Sequence, residues 1–215
     1  MIHPIVIDGD PVLRQRAAEV TEFDDALVQL VADMYDTMRV SNGVGLAAPQ
    51  IGVGQRIFVF DAPDEDEQRR GVVVNPSLMI VQRPPRFALK GEGKRPPKSL
   101  TDVEGCLSFP GPDFEAKRHY AVRVTGWDEH GEPVVIDGEG WFARVLQHEY
   151  DHLDGLLYVD RLKGRDKAEA RAISQENGWG VPGLSWMPGV DPDPFGHDVP
   201  DGDGDVQETD SASDE

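Results

Sequence analysis

The chain has 215 residues, enough for one domain with a sizeable core. Its formal charge of −19 opposes phosphate backbones, which excludes nucleic-acid tracking as a main activity. Cys106 is the only cysteine, which excludes an intramolecular disulfide and leaves one sulfur free for chemistry in a reducing compartment.

Ten acidic residues lie between Asp191 and Glu215 with no Lys or Arg among them, so about half of the net charge belongs to a C-terminal tail. The N-terminus, MIHPIVIDGDPVLR, lacks a basic segment followed by a long apolar one and does not read as a signal peptide. No apolar run approaches the roughly 18 residues of a membrane span. The cytoplasm is therefore the expected location, with no membrane partner.

In chain order, Leu27, Leu30, Val31, Met34 and Met38 recur at spacings of three and four, which predicts a helix over Asp24–Val40. Thr21 or Asp24 would cap it, and Asn42-Gly43 would stop it. Short β-rich runs follow at Arg56–Phe60, Val72–Val74, Ala121–Trp127 and Pro133–Ile136, separated by turn residues such as Asp128-Glu129-His130-Gly131. Gln82–Lys98 is basic and rich in Pro and Gly, a loop excursion upstream of the cysteine. A second helix is predicted at Gly140–Leu153 and a third at Asp166–Asn177. After Trp179 the chain turns to Pro, Gly and Asp, and disorder is expected beyond about Asp198. These features divide the chain into a main part, 1–180, and an acidic extension, 181–215.

His148-Glu149-Tyr150-Asp151-His152 carries the strongest chemical signal. Residues four apart on a helix share a face, so both imidazoles reach one metal ion and Glu149 stands beside it as a base. Phe142, Val145, Leu146 and Tyr150 would form the buried side of that helix. Two histidines do not complete a catalytic site. The HExxHxxGxxH extension matches at Gly155 and fails at Tyr158. Glu169 or Glu176 from a later helix, or the soft sulfur of Cys106, remain as third ligand. A third segment, Gly43 to Gly52, is rich in small residues and lacks a phosphate-cradling pattern, while Gln50 offers an amide donor.

GVGLAAPQ (43–50), EGCLS (104–108) and QHEYDHLDG (147–155) stand in this order, and together they resemble the three signatures of peptide deformylases. The resemblance covers roughly residues 1–180 and extends loosely to GWGVPGLSWMPG and DPDPFGH, segments found in some actinobacterial members. It implies a compact α+β fold in which the HExDH helix is packed by partly antiparallel sheets. It also implies metal ligands Cys106, His148 and His152 for one divalent ion, Fe²⁺ in cells, with Zn²⁺, Ni²⁺ or Co²⁺ able to substitute. The implied activity is hydrolytic removal of the formyl group from nascent N-formylmethionyl polypeptides. Glu149 would move the protons, and the Gln50 amide and the Leu107 N–H would meet the charge on the formyl oxygen. Gly43, Val44 and Gly45 would bind the substrate.

For Arg144 two expectations stand, a solvated helix charge or a wall of the methionine pocket. Glu104 is expected to pair with it or with another arginine. The basic cluster Arg161–Arg171 raises a ribosome contact through the third helix, and the chain is expected to be a monomer without specific nucleic-acid binding. The rival readings are an HExxH metallo-endopeptidase, and a non-catalytic module of a translation complex whose metal would need four protein ligands; His3, His119, His130 and His197 are available, though none has a spacing that argues for it.

Overall fold

The computed structural model describes residues 1–65, 67–82 and 97–196. Most of the predicted excursion at 82–98, His197 and the tail beyond 198 lie outside the described residues.

After β1 (Ile5–Val6), helix α1 spans Asp25–Val40. Asp24 caps it, its side chain accepting from the Leu27 N–H at 3.0 Å. Leu27, Val31, Met34 and Met38 are buried on one face, as their spacing predicts. Asn42, with φ of 54°, takes the left-handed conformation that ends the helix.

Five antiparallel strands form the main sheet: β2 (Gly45–Ala47), β3 (Ile57–Asp64), β4 (Glu67–Ile80), β7 (Ala121–Trp127) and β8 (Pro133–Glu139), in the order β2-β3-β4-β7-β8. β3 and β4 extend beyond their predicted ranges at their hairpin ends, Asp64 opposite Glu67, where the polar sequence carries no apolar alternation, and β4 also continues to Ile80 by pairing with β7. β4 bends at a bulge between Val74 and Ser77. There the Asn75 amide accepts from the Val20 N–H and donates to the Val20 carbonyl, which ties the bend to the N-terminal segment.

Helix α2 (Gly140–Leu153) crosses this sheet. Phe142, Val145, Leu146 and Leu153 pack with Phe58, Phe60, Val122, Val124 and Ile136. Each such side chain contributes roughly 1.5–3 kcal/mol by leaving water. The approach is close: a Cβ on Gly138 of β8 would stand 2.8 Å from Leu146 Cδ1. The buried side differs from the expectation in two ways. Tyr150 is only half-buried, its ring 5.5 Å from the Arg56 guanidinium, and the polar face of α2 is buried as well.

What covers that polar face is a separate hairpin, β5 (Ser99–Cys106) and β6 (Phe109–His119), turned at Leu107-Ser108. No element is predicted from the sequence in this region. The buried positions of β5 are Glu104 and Cys106, so the alternation that marks a half-buried strand is missing. Helix α3 (Gly164–Glu176) lies beyond and buries only Ala170. Finally β9 (Ser185–Trp186) returns to pair with β1, Ile5 opposite Trp186.

Candidate metal centre and cleft

His148 and His152 stand one turn apart on the covered face of α2, their rings 4.9 Å apart. Cys106 reaches them from the end of β5, its Sγ 3.4 Å from His152 Nε2. The turn that follows Cys106 is pinned twice. Trp186 Nε1 donates to the Leu107 carbonyl at 3.0 Å, and the Asp8 N–H donates to the Ser108 carbonyl at 2.9 Å.

The ligand atoms of Cys106, His148 and His152 all lie within 4.8 Å of one another, and all three residues are buried. Tetrahedral ligation with ordinary metal–sulfur and metal–nitrogen bonds places S and N about 3.6 Å apart, close to the observed spacing. One soft thiolate and two imidazoles suit iron or zinc. This is the only such group among the described residues. Glu169 and Glu176 are exposed on α3, so the peptidase arrangement finds no third ligand there. His3, His119 and His130 supply no fourth.

Glu104 organises the surroundings. Its Oε1 lies 2.6 Å from His148 Nδ1, which places the hydrogen on Nδ1 and leaves Nε2 for a metal. The same carboxylate accepts from Arg118 Nε at 3.0 Å and from Arg144 Nη1 at 2.8 Å. Arg118 continues to Asp151 of α2, which Arg161 also holds. Burial alone would raise the Glu104 pKa, but the His148 and Arg118 hydrogen bonds outweigh it and hold the carboxyl well below its usual range. Burial opposes the charged form of His148, yet Cys106 and Glu104 keep its pKa well above the ordinary value. Burial, then the neighbouring His148 and Arg118, push His152 well below it, which leaves a neutral ring.

Glu149 lies against strand β2. A Cβ on Gly45 would collide with its carboxyl group, so the glycine makes room for the base as well as for a ligand. Glu149 Oε2 is buried with no hydrogen-bond partner among the described residues, and burial first of all pushes its pKa up to about 7. Gln50 sits in a 3-10 turn, Ala48–Ile51. Its Oε1 accepts from the Ala47 N–H at 2.8 Å, which turns the NH₂ toward Cys106 Sγ, 3.9 Å away.

A cavity of about 310 Å³ opens beside these groups. Gly43, Val44 and Gly45 line it, as do Gln50, Leu107 and Arg144. Arg144 is not a solvated charge: it is 4% exposed and also donates to the carbonyls of Ala116 and Leu100. Sequence reasoning missed the roles of Arg118, Asp151 and Arg161, because nothing local marks charges that meet across three elements. It also missed Trp186 and Phe195. Both lie in GWGVPGLSWMPG and DPDPFGH, which the resemblance reaches loosely, but no local pattern gave either a role.

Residues 2–168 match the sequence profile of the family described as Polypeptide deformylase. The peptide deformylase of Rhodococcus opacus is 51% identical over 202 residues, covering 92% of this chain and 98% of that one. The peptide deformylase of Mycolicibacterium paratuberculosis is 52% identical over 202 residues, covering 90% and 98%. Among solved structures, a peptide deformylase from Legionella pneumophila superposes with a TM-score of 0.68 at 38% identity, covering 83% of this chain and 96% of that one. One from Ehrlichia chaffeensis gives 0.70 at 30% identity, covering 83% and 98%.

Proposed function

This chain belongs to the peptide deformylase family, and from that premise we propose that Cys106, His148 and His152 hold its metal while Glu149, Gln50 and Leu107 perform the chemistry. The enzyme removes the N-formyl group from nascent polypeptides, releasing formate, and the family is metal-dependent. The juxtaposition of Cys106 with the two histidines of α2 carries the residue assignment. Cys106, His148 and His152 would hold a divalent ion, which when bound would supply Lewis acidity, lowering the pKa of water to about 7 and polarising a carbonyl. We assign Fe²⁺ in cells, with Zn²⁺, Ni²⁺ or Co²⁺ as substitutes.

Glu149 takes a proton from the attacking water and delivers it to the amine that leaves. Its buried, unpartnered oxygen suits that task. As the formyl carbon becomes tetrahedral, charge develops on its oxygen, where the Gln50 amide and the Leu107 N–H donate. Gln50 is held in that orientation by its bond to Ala47. Glu104 fixes the His148 tautomer, and its arginine partners keep the carboxylate charged.

The formyl group is too small to confer selectivity, so the following side chain must supply it. The methionine side chain enters between Gly43-Val44-Gly45 and the α2 wall at Arg144 and Val145, while the peptide backbone lies along a strand edge. The catalytic part, 1–180, works as a cytoplasmic monomer, and residues 181–215 form the acidic extension. The exposed α3 carries Arg165 and Arg171 outward for contact with the ribosome. No helix among the described residues is long and apolar enough to cross a membrane.

Elemental analysis of anaerobically purified protein, paired with formate release from a formyl-methionyl peptide, tests the site. About one equivalent of iron or zinc together with formate release is expected for a single three-ligand centre. Active protein without bound metal would overturn the ligand assignment.

A further inference from the structure

Residues 184–195, beyond the end of the family match at 168, bring a side chain to the cleft. Phe195 is half-buried and lines the cavity, as do Trp141, Arg144 and Val145 of α2. Phe195 packs against the cluster that holds Leu107 and Trp186, and a Cβ on Gly111 would stand 3.9 Å from the carbonyl of the preceding Pro194. Its position is built rather than incidental. The Ile7 N–H donates to the Leu184 carbonyl at 3.0 Å, and β9 pairs with β1. The buried Trp186 bonds the Leu107 carbonyl, and its indole lies 6.3 Å from the Phe195 ring. Met187 and Asp191 fold the chain back on itself, with the Met187 N–H donating to the Asp191 carboxylate at 2.6 Å and the Asp191 N–H donating to the Met187 carbonyl at 2.9 Å. The Phe195 N–H then donates to the Asp193 carboxylate at 2.8 Å.

The direction of an extended peptide decides what this wall meets. Successive side chains of an extended chain point to opposite sides. With the formyl group at Glu149 and the first side chain turned to the α2 wall, the second side chain turns away from α2, toward Leu107 and Phe195. We propose that Phe195 is a specificity-determining residue that packs on the second side chain of the nascent polypeptide and favours an apolar group there. This rests on the reading of the cleft given under Proposed function.

Formate release from formyl-Met-Leu, formyl-Met-Gly and formyl-Met-Arg peptides by the full chain tests it. The wild type is expected to prefer Leu over Gly. Phe195→Ala should cut the Leu/Gly ratio of kcat/KM by about tenfold, the scale of discrimination that modest apolar contacts supply, with the change mainly in KM. Phe195→Leu should restore most of the ratio. Phe195→Glu should shift preference from Leu toward Arg, a gain that unfolding cannot mimic. An unchanged Leu/Gly ratio in Phe195→Ala, or an unchanged Leu/Arg ratio in Phe195→Glu, overturns the proposal and leaves the metal site intact. Failure of the wild type to release formate from all three peptides would instead sink the reading of the cleft and this inference with it.

Discussion

Helix α2 and the β5–β6 hairpin meet at the same cluster of donor atoms by different physical means. The helix fixes the spacing of His148 and His152 through its own backbone, and the sheet beneath it sets only their height. The hairpin has no such internal guarantee. Cys106 arrives where it does because Glu104 is held by Arg118, Arg144 and His148, and because Trp186 and Asp8 pin the turn after it. One half of the site is therefore local and the other tertiary. A local half survives partial loosening of the fold, and a tertiary half does not.

Removing the tertiary ligand tests the comparison most severely. Cys106→Ala should reduce bound iron or zinc to near nothing and abolish formate release, measured by elemental analysis and assay. Full metal retention would mean that the helix alone holds the ion. Glu149→Ala should separate binding from chemistry: metal content stays, and kcat falls by about 10²–10⁴. Next comes the hub. Glu104→Ala leaves Arg118 and Arg144 buried without their carboxylate, and urea melts should show a loss of about 3–5 kcal/mol. Gln50→Ala should keep its metal and turn over at least ~100-fold more slowly, the loss of one donor worth about 2.7–4 kcal/mol. Normal turnover would remove Gln50 from the mechanism.

The smallest effect belongs to an ion pair of similar chemistry in an exposed place, Arg123 with Asp137 on β7 and β8. Arg123 holds the Asp137 carboxyl below its ordinary range. Its contribution is thus present above that range and disappears as pH falls through the lowered value. Solvent screens it, so Asp137→Asn should leave the melting temperature unchanged within error at neutral pH. A clear drop there would erase the distinction between buried and exposed charge on which the hub prediction stands.

The same division governs what the sequence reveals. The bounds of α2 and the Asp24 cap of α1 are readable because apolar spacing and capping are local signals. The ligand histidines follow from helical geometry alone. Cys106 is different: composition and spacing leave it level with Glu169 and Glu176, and only the order of three motifs singles it out. The strand beneath it is invisible because Glu104 points inward, where alternation rules expect an apolar residue. Arg144 is left between two readings for the same reason. Its burial is decided by carbonyls of Ala116 and Leu100, on strands that no local pattern announces.

Pairing β1 with β9 joins residues near the start and near the end of the described chain. During synthesis the N-terminal strand waits for a partner made about 180 residues later. Trp186, which steadies the turn after Cys106, comes with that partner. The Trp186 bond to the turn after Cys106 can form only once residue 186 has been made, so on a growing chain that end of the cleft would be completed after the sheet and its helix. A nascent copy emerging from the ribosome would hold its two histidines in register well before its cysteine turn is secured, so catalytic competence should appear late and abruptly as the chain is released.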